Sequence, residues 1–351
     1  MSISIAVDAM GGDHGVSVTV PASLKALSKF SDISIVLVGQ QALIEKELAK
    51  HQYDASRIKV HHAEQVVEMD ELPSKALRNK RQSSMRLALN LVKDDEAKAC
   101  VSAGNTGALM AVSKFVLKTL PGIDRPAICT SMPTMKGHVH VLDLGANVGA
   151  DGESLAQFAI MGSVLAKAVD NNANPRVGLL NIGEEEIKGH QRIKDANEIL
   201  KSSKINYIGY VEGDEIYKGD VDIVSCDGFD GNVALKASEG VAKMISFYLK
   251  EAFNKNLLTK LVALISYPVL KAFKEKVDPR RYNGASFLGL RKIVIKSHGG
   301  ADAFSFYHAI AEARLEVIKN VPDLIAHEVK ALLETQSAVE EASEAGTEQQ
   351  A

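Results

Sequence analysis

The sequence predicts an open α/β protein, a mostly parallel β-sheet with helices packed on both faces. Two patterns predict it. Strand-like apolar runs alternate with amphipathic helical stretches along most of the chain. The apolar runs also keep ending in short clusters rich in Gly, Asn, Asp and Ser: Asp8–His14, Ser102–Gly107, Leu144–Gly149, Asn181–Glu184, Cys226–Asn232 and Ser297–Asp302. In an open α/β sheet such loops gather at the carboxyl ends of the strands, where ligands bind. Glycine there lets backbone N–H groups approach an anion, and a following helix N-terminus adds a favourable dipole. The pattern points to an enzyme of anionic small molecules.

The strands expected, in order, are Ile3–Val7, Ile33–Val38, Ile58–His62, Ala99–Ser102, Ala127–Thr130, Val139–Leu142, Val177–Asn181, Asn206–Val211, Ile223–Ser225 and Ile293–Lys296. Helical periodicity runs through Ser74–Val92, Thr106–Leu117, Ser154–Ala168, Lys188–Leu200 and Asn232–Glu251. Pro73 stands near the start of the first of these, where a missing N–H costs little. Residues 1–335 read as one domain, and 336–351, all Ala, Ser, Glu, Gln and the like, as a disordered acidic tail.

With 351 residues, 24% of them charged and 46% hydrophobic, the chain has the composition of an ordinary globular protein with a large core. Met1 leads directly into Ile3–Val7 without a basic, small-residue leader, so no signal peptide is expected, and no apolar run is long enough to span a bilayer. Cys100, Cys129 and Cys226 are too few and too scattered for a disulfide framework or a zinc site, which fits a reducing cytoplasm. No metal and no cofactor are called for. The net charge of −3 hides a division. The tail carries four Glu and no Lys or Arg, whereas residues 254–296 hold ten Lys or Arg against Glu275 and Asp278. That excess suggests an anionic surface nearby, unless it is simply a solvated face.

An amphipathic helical hairpin falls at about 250–280. Leu257, Leu261, Leu264 and Ile265 recur at helical spacing, Pro268 interrupts, and Val269, Leu270 and Phe273 continue, all among lysines. An apolar tip with a lysine collar suits a bilayer interface. A contact between subunits, or core covered by lysine stems, accounts for the same pattern.

Among the loops, Ser102–Gly107 is the sharpest. Gly104 can take an unusual backbone angle, the helix from Thr106 presents unpaired N–H groups, and Asn105 and Thr106 add side chains. A phosphate fits there, and so does a plain strand-to-helix turn with an Asn or Thr cap. G-x-G-x-x-G, the P-loop, H-E-x-x-H and G-x-S-x-G are all absent, so a phosphate is expected as part of a substrate rather than of a dinucleotide. Asp8, Gly11, Gly12, Asp13 and His14 form the first loop. Asn147, Asp227 and Asn232 stand on two others, with Lys188 beside Gly183 as an oxyanion or phosphate partner. His298 is better placed for proton transfer than His61 or His62. Cys226 has no neighbouring His to activate it, so a thiol intermediate is not expected.

Taken together, Ile5–His14, Ser102–Leu109, Gly122–Ala127, Leu144–Asn147, Pro175–Asn181, Asp227–Asn232 and Lys296–Gly299 resemble the bacterial phosphate acyltransferases (acyl-carrier-protein–phosphate transacylases) of phospholipid synthesis. The matches run in order over nearly the whole chain, and Ile3–His14 is the most specific of them. Gly149–Asp151 and Glu184–Glu186 depart from the pattern. The resemblance implies a homodimer of three-layer α/β/α sandwiches, Rossmann-like and akin to phosphotransacetylases and the isopropylmalate dehydrogenase group. It implies transfer of a long acyl chain from acyl-carrier protein to inorganic phosphate. The product would feed a membrane glycerol-3-phosphate acyltransferase, from a cytoplasmic enzyme peripherally attached to the membrane.

On this reading Gly104–Gly107 and Lys188 hold phosphate, and Asn232 or His298 faces the oxyanion or protonates the leaving sulfur. The acidic carrier would dock on Arg78, Lys80 and Arg81, or on Arg280 and Arg281 with Arg291 and Lys292. Two alternatives remain open at this point: an acyl-coenzyme A-dependent phosphotransacetylase-like enzyme, and a non-catalytic membrane-surface scaffold. No nucleic acid is expected as a partner.

Overall fold

The computed structural model describes residues 2–331, so the expected acidic tail lies outside the described residues. The strands are β1 (Ile3–Asp8), β2 (Ile33–Gly39), β3 (Ile58–His62), β4 (Ala99–Ser102), β5 (Ala127–Thr134), β6 (Gly137–Leu142), β7 (Val177–Leu180), β8 (Tyr207–Val211), β9 (Ile223–Ser225), β10 (Ala285–Leu288) and β11 (Ile293–Lys296). The helices include α1 (Val16–Lys29), α2 (Gln41–Leu48), α3 (Pro73–Asn79), α4 (Ser84–Lys93), α5 (Thr106–Leu117), α6 (Gly152–Val169), α7 (Gln191–Lys201), α8 (Gly228–Asn254), α9 (Leu257–Ile265), α10 (Tyr267–Lys276) and α11 (Ala303–Lys319).

All eleven strands join one sheet in the order β3-β2-β1-β4-β11-β10-β5-β6-β9-β7-β8. Pairing is parallel from β3 to β11 and again from β6 to β8, and antiparallel only across β11-β10-β5-β6. The expected mostly parallel sheet is therefore present, built as two parallel halves of opposite direction stitched by β10 and β5. β10 is the strand that hydrophobic patterning misses, because four residues between glycines read as a loop.

Alternation along each strand sorts the core into two faces. Ile5, Val7, Ile293 and Ile295 bury against α1 and α11, while Leu142, Cys129 and Ile223 bury against α6. On the other face Ala6, Cys100, Val294, Val141 and Val224 share a cluster with α4 and α5 residues such as Met85, Leu89, Leu109 and Val112.

The polar loops of the sequence cap helices. Side chains of Ser83, Asn105, Asp151, Asp227 and Asp302 accept N–H groups from the first turns of α4, α5, α6, α8 and α11. Some boundaries differ from expectation. The long helix expected over Ser74–Val92 is two helices, since Lys80 leaves helical geometry and Ser83 starts a new cap. The helix expected from Lys188 begins at Gln191, and the one expected from Asn232 begins at Gly228.

α8 is unlike the other helices. After Gly231 it buries no side chain, and α9 and α10 bury none either. The three form an arm on the sheet body with an uncovered apolar surface.

Candidate active site

Strand register creates the first cluster. Val7 is level with Val101, and Lys296 pairs with Ser102, so Asp8, Ser102 and Lys296 stand side by side at the carboxyl ends of β1, β4 and β11. All three are buried. The Ser102 hydroxyl donates to Asp8 Oδ2 at 2.7 Å, and the Gly104 N–H donates to Ser102 Oγ at 3.0 Å. Asp8 Oδ1 has no partner among the described residues, and burial pushes its carboxyl pKa up. Lys296 Nζ donates to the carbonyls of Ala103, at 3.3 Å, and Ser297, leaving one of its three donors. Burial pulls the ammonium down to about 8, with Asp8 and Asp13 opposing.

Glycines close the rim. A Cβ on Gly11 would lie 2.7 Å from Asp8 Oδ2 and 2.8 Å from the Gly104 nitrogen. Gly12 has φ of +86°, and a Cβ there would meet the Gly299 carbonyl at 2.8 Å. The Asp13 N–H donates to that same Gly299 carbonyl, joining the first loop to the last. His298 completes the rim. Its Nδ1 accepts the Gly300 N–H at 3.1 Å, which puts the proton of the neutral ring on Nε2. Partial burial, then Lys296, lowers its pKa and favours that neutral form.

The second cluster lies at the carboxyl ends of β6 and β9. Asp143 accepts backbone N–H groups from Ile128, Leu144, Ala146 and Asn147, plus the Asn147 side-chain amide at 2.8 Å. Asp227 accepts Phe229 N–H on one oxygen, and Ala150 N–H at 2.8 Å and Arg192 at 3.2 Å on the other. This tie draws the starts of α6, α7 and α8 together. α8 then runs toward the first cluster, where Lys236 and Glu239 come within electrostatic reach of His298. At 1.5 Å per residue, the interval from Asp227 to these residues is roughly 14–18 Å.

The structure thus gathers Asp8, Gly11, Gly12, Asp13, Gly104 and His298 in one rim, and Asn147 and Asp227 in a second, with Asn232 beside Gly145. Thr106 and Gly107 form the exposed mouth of α5, and His14 is exposed. Three expectations need revision. Asn105 is a cap and anchor: its oxygen accepts Ala108 N–H, and its Nδ2 donates to the Met69 and Glu71 carbonyls, so no donor is left for phosphate. The Gly104 N–H is likewise taken by Ser102. Lys188 pairs with Glu185 at 2.8 Å, and no hydrogen bond joins it to either rim among the described residues. Cys226 is buried, its thiol donates to the Asp143 carbonyl, and burial pushes its pKa well up.

The residues that sequence reasoning missed are Ser102, Asp143, Arg192 and above all Lys296. A lysine closing the apolar run Ile293-Val294-Ile295 was the available signal; Arg192, one cation among many on a helix, offered none. Of the docking candidates, Lys80 is held by the Val66 carbonyl and Glu71, and Arg280 by Asp278 and Asp302. Arg78, Arg81 and Arg281 remain exposed. In the hairpin Leu257, Leu261, Leu264, Ile265, Val269 and Phe273 are exposed and Leu270 is half-buried. No helix among the described residues is long and apolar enough to cross a membrane.

A family model described as "Fatty acid synthesis protein" matches residues 3–324. A protein of Hydrogenovibrio crunogenus named phosphate acyltransferase is 87% identical over 336 residues, covering 95% of this chain and all of that protein. Another of that name from Nitrosococcus oceani is 58% identical, covering 93% and 96%. The chain belongs to the phosphate acyltransferase family. As a phosphate acyltransferase it is a transferase that moves an acyl group to phosphate. Its fold is shared with a phosphotransacetylase of Streptococcus pyogenes, at a TM-score of 0.60 with 14% identity over 91% of this chain and 94% of that one. A branched-chain phosphotransacylase of Enterococcus faecalis V583 aligns at 0.53 with 13% identity over 90% and 99%.

Proposed function

We propose that this phosphate acyltransferase takes a long acyl chain from acyl-carrier protein and delivers it to inorganic phosphate for phospholipid synthesis. The observation that carries the reading is Lys296, a buried cation with a free donor at a glycine-lined rim that holds no activated thiol or hydroxyl. Ser102 is fully buried and bound to Asp8, and all three cysteines are buried. Phosphate is itself the nucleophile.

Hydrogen phosphate is drawn by the Lys296 ammonium and the N–H groups of Thr106 and Gly107 at the mouth of α5. A phosphate oxygen bonds to the thioester carbonyl carbon, the C–S bond breaks, and the proton of hydrogen phosphate ends on the departing sulfur. The Lys296 ammonium, near 8, is matched to give its own proton to a thiol of about 8.5 and to take the phosphate's in its place. The His298 Nε2–H is positioned to face the developing oxyanion. Orientation of the two reactants supplies up to roughly 7–11 kcal/mol of the barrier reduction.

An acidic carrier fits one surface best. Arg86 lies 5.1 Å and Lys118 4.9 Å from the ring of Phe115, itself half exposed, and Arg81 is close enough to depress the Arg86 pKa after burial does. With Arg78 they make a basic, aromatic-centred patch around α3, α4 and the carboxyl end of α5. The apolar arm supports peripheral attachment to the cytoplasmic face of the membrane, near the acyltransferase that would consume the product. It also supports a homodimer, if α8 covers its own kind.

The test is acyl phosphate formation, trapped as hydroxamate, with palmitoyl-carrier protein and with palmitoyl-coenzyme A as donors. Phosphate-dependent product with a strong preference for the carrier thioester is expected. Equal use of coenzyme A would replace the proposed donor, and no product from either would leave only a scaffold.

A further inference from the structure

On the face of the sheet opposite the catalytic rim, one carboxylate is shared by two imidazoles. His138 and His140 alternate along β6 and so point to the same side. His138 Nε2 lies 3.0 Å from Asp170 Oδ1, and His140 Nε2 lies 2.7 Å from Asp170 Oδ2. The rings meet edge to face with centroids 5.0 Å apart. One donor atom from each of the three residues falls within 4.8 Å of the others. The Ser131 hydroxyl, 3.1 Å from His140 Nδ1, orients the buried ring. α11 brings Glu312 within electrostatic reach of Asp170 and His138, and Glu316 follows one turn on, buried, with Oε1 unpartnered among the described residues.

We propose that His138, His140 and Asp170 bind a divalent transition-metal cation, Zn2+ being the natural occupant. Two nitrogens and one carboxylate oxygen suit zinc, cobalt or manganese better than calcium or magnesium, which take oxygen ligands. Tetrahedral zinc with bonds of about 2.0–2.1 Å holds its ligand atoms roughly 3.3 Å apart, so the His–Asp distances of 3.0 and 2.7 Å would open slightly while the three ligand atoms already lie within 4.8 Å of one another. Ser131 supplies the outer hydrogen bond that fixes a metal-ligating histidine. The fourth position faces solvent, since the side chains of His138 and Asp170 are 34% and 27% exposed while that of His140 is 4% exposed. A cation here clamps the end of α6 to the β5–β6 hairpin, away from the chemistry. The sequence hid it: two histidines two positions apart and an aspartate thirty positions on match no familiar ligand spacing.

The test is Co2+ titration of the full-length protein after chelator dialysis, followed by visible absorption and metal analysis. About one equivalent of Co2+ with ligand-field bands, displaced by Zn2+ and not by Mg2+, is expected, together with a rise in Tm on adding Zn2+. Asp170→Ala and His138→Gln should remove the bands, Ser131→Ala should weaken binding about 10–100-fold, and a His61→Ala/His62→Ala control should bind normally. His138→Gln alters a half-exposed ring, so it remains informative if the aspartate variant misfolds. Absence of bands in the wild type, or bands that survive His138→Gln, would overturn the proposal.

Discussion

Asp8 and Asp227 each follow or end a strand, and both are buried, yet they are used in opposite ways. Both oxygens of Asp227 are occupied, by Phe229, Ala150 and Arg192, and the result is a brace where three helices begin. Asp8 keeps one oxygen unpartnered, its carboxyl is pushed up, and the lysine two strands away is pulled down. Paired groups displaced from their ordinary ionisation mark chemistry, whereas a saturated carboxylate marks architecture. On the proposed mechanism the difference puts reactivity at the first rim and makes Asp227 a brace at the second.

The sharpest way to break that contrast is Lys296→Met. Turnover should fall about 10²–10³-fold, comparable to losing a catalytic donor. Stability should hold or rise, because a desolvated charge is exchanged for an apolar chain. Steady-state kinetics and thermal melts read both; a near-normal rate would move the chemistry elsewhere. The pH dependence sharpens the same point. Since folding lowers this pKa from the usual lysine value, the folded protein binds fewer protons between about 8 and 10.4. The Lys296 penalty is therefore fully present below pH 8 and relieved as pH rises through that window. Activity runs the other way, falling above about pH 8 as the ammonium is lost. A Lys296→Arg variant should lose that alkaline limb.

The arm extends the comparison to a region that makes no core at all. Replacing Leu264 with Ser should cut partition onto anionic vesicles roughly 10–100-fold, since one apolar side chain contributes about 1.5–3 kcal/mol when fully buried. The Tm should stay put. Vesicle flotation measures the first quantity, and unchanged flotation would turn the arm toward a subunit contact.

At the brace, Asp227→Ala should cost about 1.5–3 kcal/mol in denaturant unfolding through loss of charged hydrogen bonds. Its effect on turnover should be much smaller than that of Lys296→Met. A catalytic loss as large would erase the distinction between the rims. The smallest effect is expected for Cys226→Ala, whose thiol is buried and donates to the Asp143 carbonyl; turnover should change less than about twofold, and a dead enzyme would revive a thiol route.

Much of this was legible beforehand. Hydrophobic alternation with polar strand ends indicated the parallel sheet and ten of its strands, because burial on both faces leaves a continuous apolar run. The loop residues were legible as a set, but not their roles. Asn105 and Asp227 look like ligands in a sequence, and only the structure shows the N–H groups that occupy them. Lys296 is hard to single out in the sequence because its burial depends on β4, β10 and the turn at Ala103 lying beside it. Strand register likewise decided that Asp8, Ser102 and Lys296 would be neighbours, and register is not written in any one segment. The His138 and Asp170 contact is a long-range pairing of the same kind.

In the proposed mechanism phosphate attacks the thioester directly, without a covalent stop on the protein. Rapid-quench single turnover with palmitoyl-carrier protein and excess enzyme, with phosphate withheld and then supplied, tests it most directly. No thiol release and no acylated protein should be seen until phosphate is added, then release of carrier thiol in step with acyl phosphate. A stoichiometric burst of free carrier thiol before phosphate, with the acyl group on the enzyme, would contradict it.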